Sequence, residues 1–345
     1  MPGSGNRVSA PGSPAPADTS PQPLLELASA FQRSRALLTA VELGVFAVLG
    51  EDGHTSTQVA QALGTADRAT DRLLNALCAL GLLAKREGRF FNGPLAARYL
   101  VRGRPEYLAG LMHTAHLWET WGTLTEVVRL GRCVVSHPLE ARGPDWIRAF
   151  IAAMHWRACQ QAPGVVALLD LSRVARLLDV GGGSGAYAMA FARARPALRA
   201  VVFDLPHVIP LARDYIGQEG LGDRVETVPG DFSTDSLGGG FDLVFLSAIL
   251  HGYAPGQNRQ LLRKCAEALT PGGQLVVQDF IMEEDRTHPA FGALFALNML
   301  VGTEGGDTYT EAEVREWVEA AGLGDIVRRD TAFGTTLIIG TNRDA

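Results

Sequence analysis

The sequence carries no surplus of positive charge: 31 Lys and Arg face 37 Asp and Glu, for a net charge of −6. A mildly acidic chain gains no long-range attraction to nucleic acid or to an anionic membrane surface, so a small-molecule partner is expected. Cysteine is scarce. Cys78, Cys133, Cys159 and Cys265 are too widely spaced for a paired metal-ligand motif, and they read as reduced core thiols with no metal implied. No apolar run approaches the roughly 18–20 residues of a membrane span. No internal repeat is present, and no Walker A lysine motif, which leaves nucleoside triphosphate binding without support. Residues 1–23 are rich in Pro, Ser, Gly and Ala and lack the basic and apolar regions of a signal peptide. They read as a disordered tail on a cytoplasmic protein.

Two textures follow. Residues 24–49 carry apolar side chains at helical spacing, among them Leu24, Leu27, Phe31, Leu37, Leu38, Val41 and Val45. A short helix is expected over 55–63, capped by Thr55 or Ser56, and a third over 68–83. Residues 83–86 and 89–92 form a hairpin around Glu87-Gly88. Three helices and a hairpin are the order of a winged helix, in which the third helix would enter DNA. Here that helix offers only Arg68 and Arg72, each beside an aspartate, and is otherwise mostly apolar. It is built to bury itself rather than to read base edges. A helical stretch over 105–169 then concentrates His113, His116, Trp118, Trp121, Trp146, Phe150, Met154, His155 and Trp156. Any one of these suits a core; together they suit the wall of a substrate pocket.

From residue 176 onward, short apolar runs (176–180, 200–204, 225–228, 241–247, 274–280) alternate with helical segments (186–194, 208–219, 255–268). That alternation specifies an α/β fold with a doubly wound, mostly parallel Rossmann-like sheet. The runs 326–329 and 335–340 read as a terminal antiparallel hairpin. The first strand ends in DVGGGSG, residues 179–185, whose Gly181, Gly183 and Gly185 lack the GxGxxG spacing of a dinucleotide fingerprint. The second strand ends in FDLP, placing Asp204 about 20 residues on, where an acid accepts the hydroxyls of a ribose. The third leads into GDF, where Asp231 and Phe232 suit an adenine amino group and ring face. The fourth leads to His251, a general-base candidate, although a histidine there also reads as a buried group bonded to a carbonyl. The fifth puts Asp279 at a strand C-terminus, where it could orient a base or cap a loop.

The combination of DVGGGSG, FDLP, GDF, the LH after the fourth strand and MLVGTEGGDTYTEAEV resembles the small-molecule O-methyltransferases, from residue 24 onward. That family includes plant phenylpropanoid, acetylserotonin-type and bacterial antibiotic-tailoring enzymes. The resemblance implies S-adenosyl-L-methionine as cofactor and S-adenosyl-L-homocysteine as product. It implies a winged-helix-like dimerisation domain over 24–104, a helical linker and pocket wall over 105–170, a cofactor-binding domain over 171–345, and a homodimer. Gly181, Gly183 and Gly185 would line the cofactor's amino-acid part, Asp204 the ribose, Leu205 the adenine side, and Asp231 and Phe232 the adenine itself. Asp179, Gly230 and Ser247 join them as expected cofactor contacts. His251 matches the family's base. The usual Asp-Trp after that histidine is Gly252-Tyr253 here, which leaves Asp279 and Glu304 as the acids to steady it. The expected substrate wall comprises Trp118, Trp121, Phe150, Met154, His155, Phe295, Asn298 and Met299. The implied reaction is methylation of a hydroxyl on a small aromatic natural-product intermediate, with carbon or nitrogen as the alternative acceptor. A ligand-binding regulator and a protein using the cofactor only structurally are the competing classes.

Overall fold

The computed structural model describes residues 20–104, 106–135 and 142–343; of the expected tail, residues 1–19 lie outside these. The first helix, α1 (Gln22–Leu43), is separated from α2 (Val45–Leu49) by Gly44, whose φ of 78° ends the helical run expected over 24–49. A two-residue strand, β1 (His54–Thr55), precedes α3 (Ser56–Leu63), where Thr55 and Gln58 form a reciprocal capping box. The third helix of the sequence reading, α4 (Asp67–Ala79), stops four residues early because Gly81 takes a left-handed turn (φ 74°) into β2 (Leu83–Arg86). β2 pairs with β3 (Arg89–Asn92) across Glu87 and Gly88, both at positive φ as a tight hairpin turn requires. β1 completes a small sheet in the order β1-β3-β2. Leu74 and Leu77 on α4 are fully buried, and Arg72 pairs with Asp71, so the helix gives its apolar face to the core.

α5 (Pro94–Tyr99) leads to the stretch read as helical, whose described residues hold three α-helices: α6 (Leu111–Trp121), α7 (Leu124–Leu130) and α8 (Pro144–Val166). The large domain follows in chain order as β4 (Arg176–Val180), α9 (Ala186–Ala194), β5 (Arg199–Asp204), α10 (Ile209–Gln218), β6 (Val225–Pro229), β7 (Phe241–Ser247), α11 (Pro255–Glu267), β8 (Leu269–Asp279), α12 (Ala290–Gly302), α13 (Glu311–Ala320), β9 (Leu323–Asp330) and β10 (Thr336–Asn342). The sheet order is β6-β5-β4-β7-β8-β10-β9; the first five are parallel and β10 runs antiparallel to both its neighbours. Helices cover both faces, so successive strand residues are buried alike. Leu243 and Phe245 pack into one core with Phe191 and Val276; Val244 and Leu246 pack into the other with Leu262 and Trp317. Fully burying each such side chain contributes about 1.5–3 kcal/mol, which is why the strands read as unbroken apolar runs.

The order of strands reverses between β4 and β7. In open α/β sheets the crevice at that switch point, beyond the strand C-termini, is where ligands bind. The glycine turn after β4 and the histidine turn after β7 flank it. Among the described residues, no helix is long and apolar enough to cross a membrane.

Candidate active site

The turn between β4 and α9 holds Gly181, Gly183 and Gly185 at φ 65°, 57° and 76°, a left-handed backbone that costs side-chain-bearing residues strain. Beneath it lies Asp179, which is buried and accepts a hydrogen bond from the Ala188 amide at 3.2 Å. Burial pushes its carboxyl up to about 7, with the nearby Asp204 charge adding to the rise. A Cβ on Gly182 would stand 2.8 Å from that carboxyl, so Asp179 packs against the underside of the turn rather than opening into the crevice.

At the end of β5, Asp204 accepts from the Gly183 amide and from the Leu205 amide, each at 2.7 Å. Burial raises its carboxyl above the ordinary range, and those two amides pull the other way. A carboxylate has about four acceptor sites, so two remain for a ribose diol. Leu205, like Phe150 and Trp146, packs against the buried cluster of Ile147, Ile151 and Val208. Gly230 approaches so closely that a Cβ there would meet the Phe203 ring at 2.4 Å, and its amide donates to the Asp204 carbonyl. Asp231 is engaged locally, accepting from the Ser233 amide and hydroxyl at 2.8 and 2.6 Å. Phe232 stands edge-on to Tyr253 (5.3 Å) and 3.8 Å from the position a Gly181 Cβ would take. Bare glycine backbone, an acid with spare acceptor sites and a half-buried aromatic face form a cradle that fits an adenosine bearing an amino-acid tail.

β7 ends in a sharp turn at Ala248, a non-glycine residue at φ 58°. Such a conformation costs roughly 1–2 kcal/mol. It drops Ile249 onto Gly181 and leads into a 3₁₀ turn, Leu250–Gly252, that carries His251. Asn258 fastens this turn, donating to the carbonyls of Leu250 (2.9 Å) and Tyr253 (3.1 Å). β8 runs beside β7 with Gln278 opposite Ser247, so Asp279 emerges next to the turn. Asp279 and His251 Nδ1 are 2.7 Å apart, both largely buried, and the Asp279 carboxylate also accepts from the His251 and Phe280 amides. Ser247 donates to Gln278 at 3.2 Å.

The edge of the His251 ring meets Phe295 of α12 at 4.8 Å, and Phe280 lies 4.8 Å from Phe295. Asn298, one turn on, accepts from Trp121 Nε1 at 2.8 Å and so ties α6 to α12; Met299 is buried beside it. Met154 is half-buried on α8. The structure thus gathers His251, Asp279 and Phe295, with Trp121 and Asn298 on the adjoining helices. Other expected site residues stand apart. Glu304 is exposed and makes no hydrogen bond to His251, whose ring is held, among the described residues, by Asp279. Trp118 is 37% exposed and lies under the Arg35 guanidinium of α1. His155 bonds Ser184 at 2.8 Å and stacks on Tyr215 at 3.9 Å, placing it against the glycine turn. Phe150 stacks with Trp146 near Leu205, on that same side. Cys133 and Cys265 are buried, but Cys159 is exposed, so not every thiol belongs to the core. Among the described residues, Glu283, Asp285 and His288 form one exposed cluster with ligand-type side chains. Sequence reasoning missed Ile249, Asn258 and Gln278. A glycine as tightly covered as Gly181 implies a neighbour, but nothing local in the chain names Ile249.

Known proteins match this arrangement along nearly the whole chain. The family model described as the O-methyltransferase domain matches residues 130–324, and the O-methyltransferase dimerisation domain matches residues 25–102. The chain is 36% identical over 315 residues to 3-hydroxy-5-methyl-1-naphthoate 3-O-methyltransferase of Streptomyces sahachiroi, spanning 89% of this chain and 90% of that one. It is 33% identical over 330 residues to the N,N-dimethyltransferase OxyT of Streptomyces rimosus, spanning 92% and 95%. The solved structure of PigF with S-adenosylhomocysteine, a methyl transferase of Serratia, superposes with a TM-score of 0.85 at 29% identity, covering 93% of this chain and 99% of that one. The chain belongs to the O-methyltransferase family and is an S-adenosyl-L-methionine-dependent methyltransferase.

Proposed function

We propose that the enzyme methylates a hydroxyl of a small aromatic, phenolic or enolic natural-product intermediate, with His251 as general base. The His251–Asp279 pair carries this reading. An ionised Asp279 accepts the Nδ1 proton, which selects the tautomer whose Nε2 lone pair is free to take a proton. Phe295 and Phe280 beside the imidazole offer flat apolar surface to an aromatic acceptor. When bound, S-adenosylmethionine supplies a methyl group already activated on a sulfonium. The protein's work is then to align the acceptor oxygen in line and remove its proton. Asp204 and the glycine turn would hold the cofactor on one side of the crevice, and Phe232 would pack on its adenine. Trp121 and Asn298, joined across the mouth, would help exclude water. The naphthoate relative, by its name, methylates an aromatic hydroxyl. OxyT favours a second reading in which nitrogen is the acceptor. An aminonaphthol offers oxygen, nitrogen and ring carbon in one molecule. Incubated with methyl-labelled S-adenosylmethionine, it is expected to give the methyl ether by NMR; product methylated only on nitrogen or carbon sinks the oxygen reading.

The enzyme is also proposed to act as a homodimer. The matched dimerisation domain supports this, and so does the outer face of α1, where Leu24, Leu25, Leu27 and Phe31 are all more than half exposed. A row of apolar side chains on one helix is favourable only when another surface covers it. Light scattering at micromolar concentration should return twice the 36.8 kDa chain mass; the mass of a single chain would rule the dimer out.

A further inference from the structure

Arg157 lies on the face of α8 turned toward the sheet. Its guanidinium stands 5.8 Å from the Phe280 ring and 5.9 Å from the Phe291 ring. Tyr187 of α9 and His113 of α6 lie close enough to interact with its charge. The side chain is half-buried, yet among the described residues it makes no ion pair and no hydrogen bond. Of the other half-buried arginines, Arg315 closes on the Glu311 carboxylate and Arg224 on the backbone carbonyls of Ala192 and Pro196. Phenyl faces offset part of the cost of desolvating a cation, but they satisfy none of the five N–H donors of the planar fork. The groups across from Arg157 offer no negative charge either. His113 on α6 is pushed down to about 4 by burial and by neighbouring cations that include Arg157, so it is neutral at pH 7, and its Nδ1 is buried without a partner.

Phe280 places this cation relative to the dyad: its ring is 5.8 Å from the guanidinium and 6.2 Å from the imidazole. Phe280 is therefore a neighbour of both Arg157 and His251, which stand no farther apart than those two distances combined. We propose that Arg157 binds a carboxylate carried by the aromatic acceptor, so that the substrates are hydroxylated aromatic acids. The inference rests on the reading above, in which an aromatic ring lies beside His251. An acid bound this way presents its carboxylate to the fork, its ring to Phe280 and Phe291, and its hydroxyl to the base. The fork suits a carboxylate because two parallel N–H donors match its two oxygens.

The test compares 3-hydroxy-1-naphthoate with its carboxamide, which have nearly the same shape and differ in one charge. Equilibrium binding to the full-length enzyme saturated with S-adenosylhomocysteine is measured by calorimetry, and methyl transfer with S-adenosylmethionine in parallel. The wild type should bind the acid about ten- to a hundredfold more tightly than the amide. Arg157→Gln should bring the acid down to the level of the amide and leave the amide unchanged. Arg157→Lys, which keeps the charge without the fork, should retain part of the preference and also guards against a misfolded Gln variant. Equal binding of acid and amide by the wild type, or binding of neither, overturns the proposal. So does a variant that weakens both acceptors alike, since that marks a packing role. An Arg157-dependent preference in binding without any methyl transfer would leave the carboxylate site standing and remove His251 as base for this hydroxyl.

Discussion

Asp204→Ala is expected to abolish measurable binding of S-adenosylhomocysteine at concentrations that saturate the wild type. The carboxylate has two tasks. Its contacts with the Gly183 and Leu205 amides fasten the glycine turn to the end of β5, and its remaining acceptor sites are those proposed for the ribose. Each hydrogen bond to a charged group contributes about 1.5–3 kcal/mol, so losing two to the ribose alone weakens binding by roughly a hundredfold or more. Calorimetric titration measures this directly. Asp204→Asn keeps one acceptor oxygen for the turn, but the Gly183 and Leu205 amides donate to different carboxylate oxygens, so one of the two contacts is lost and an NH2 faces the other donor. It should bind weakly and melt below the wild type. An alanine variant that binds within about threefold of the wild type would show that Asp204 serves only the turn. No binding by the wild type would remove this crevice as a cofactor site.

Much of this crevice was legible in the chain because chain-local chemistry dictates it. Strands buried on both faces must be largely apolar, so β4 and β7 appear in the sequence as runs with the right limits and β5 as a run one residue short. Glycine is favoured where φ is positive, so the turn at Gly181–Gly185 is visible, as is Gly88 in the hairpin. Where the chain departs from expectation, a longer-range contact or an overlooked local signal is responsible. β8 begins at Leu269, five residues ahead of the run expected over 274–280; pairing of Phe241 with Leu269 extends the strand back through Pro271-Gly272-Gly273. β1 exists only because β3 pairs with it. α13 was announced by Thr310 and Glu313, a capping box in plain view.

The site divides in the same way. Asp279 could be named as a partner of His251 because it ends the neighbouring strand, but choosing it over Glu304 required the register of β7 against β8. Composition and the family resemblance group Trp118, Phe150 and His155 with the substrate wall. A helix distributes its side chains around its axis, and in α6 and α8 those three turn toward α1 and the glycine turn. Ala248 carries no signal of its strained backbone, and Arg157 none of its missing partner, because both properties are conferred by neighbours far away in sequence.

His251→Ala is expected to lower kcat by about 10²–10⁴-fold while leaving affinity for S-adenosylhomocysteine unchanged. The sulfonium methyl is reactive without help from the protein, so what the histidine adds is a nucleophile made anionic at the moment of transfer. A phenol with a pKa near 10 is ionised in only about one molecule in a thousand at pH 7. Removing the base should therefore make the rate follow that fraction, rising steadily with pH well beyond the point where the wild type has levelled off. Asp279→Asn should fall in between, by about ten- to a hundredfold, since the imidazole remains but the charge-assisted hydrogen bond that selects its tautomer is lost. The pH profile separates this role from a packing one. A histidine that merely filled space beside Phe295 would, when removed, lower the rate by the same factor at every pH. A His251→Ala enzyme within about twofold of the wild type would assign the proton transfer to solvent and reduce the His251–Asp279 pair to a fastening for the turn after β7.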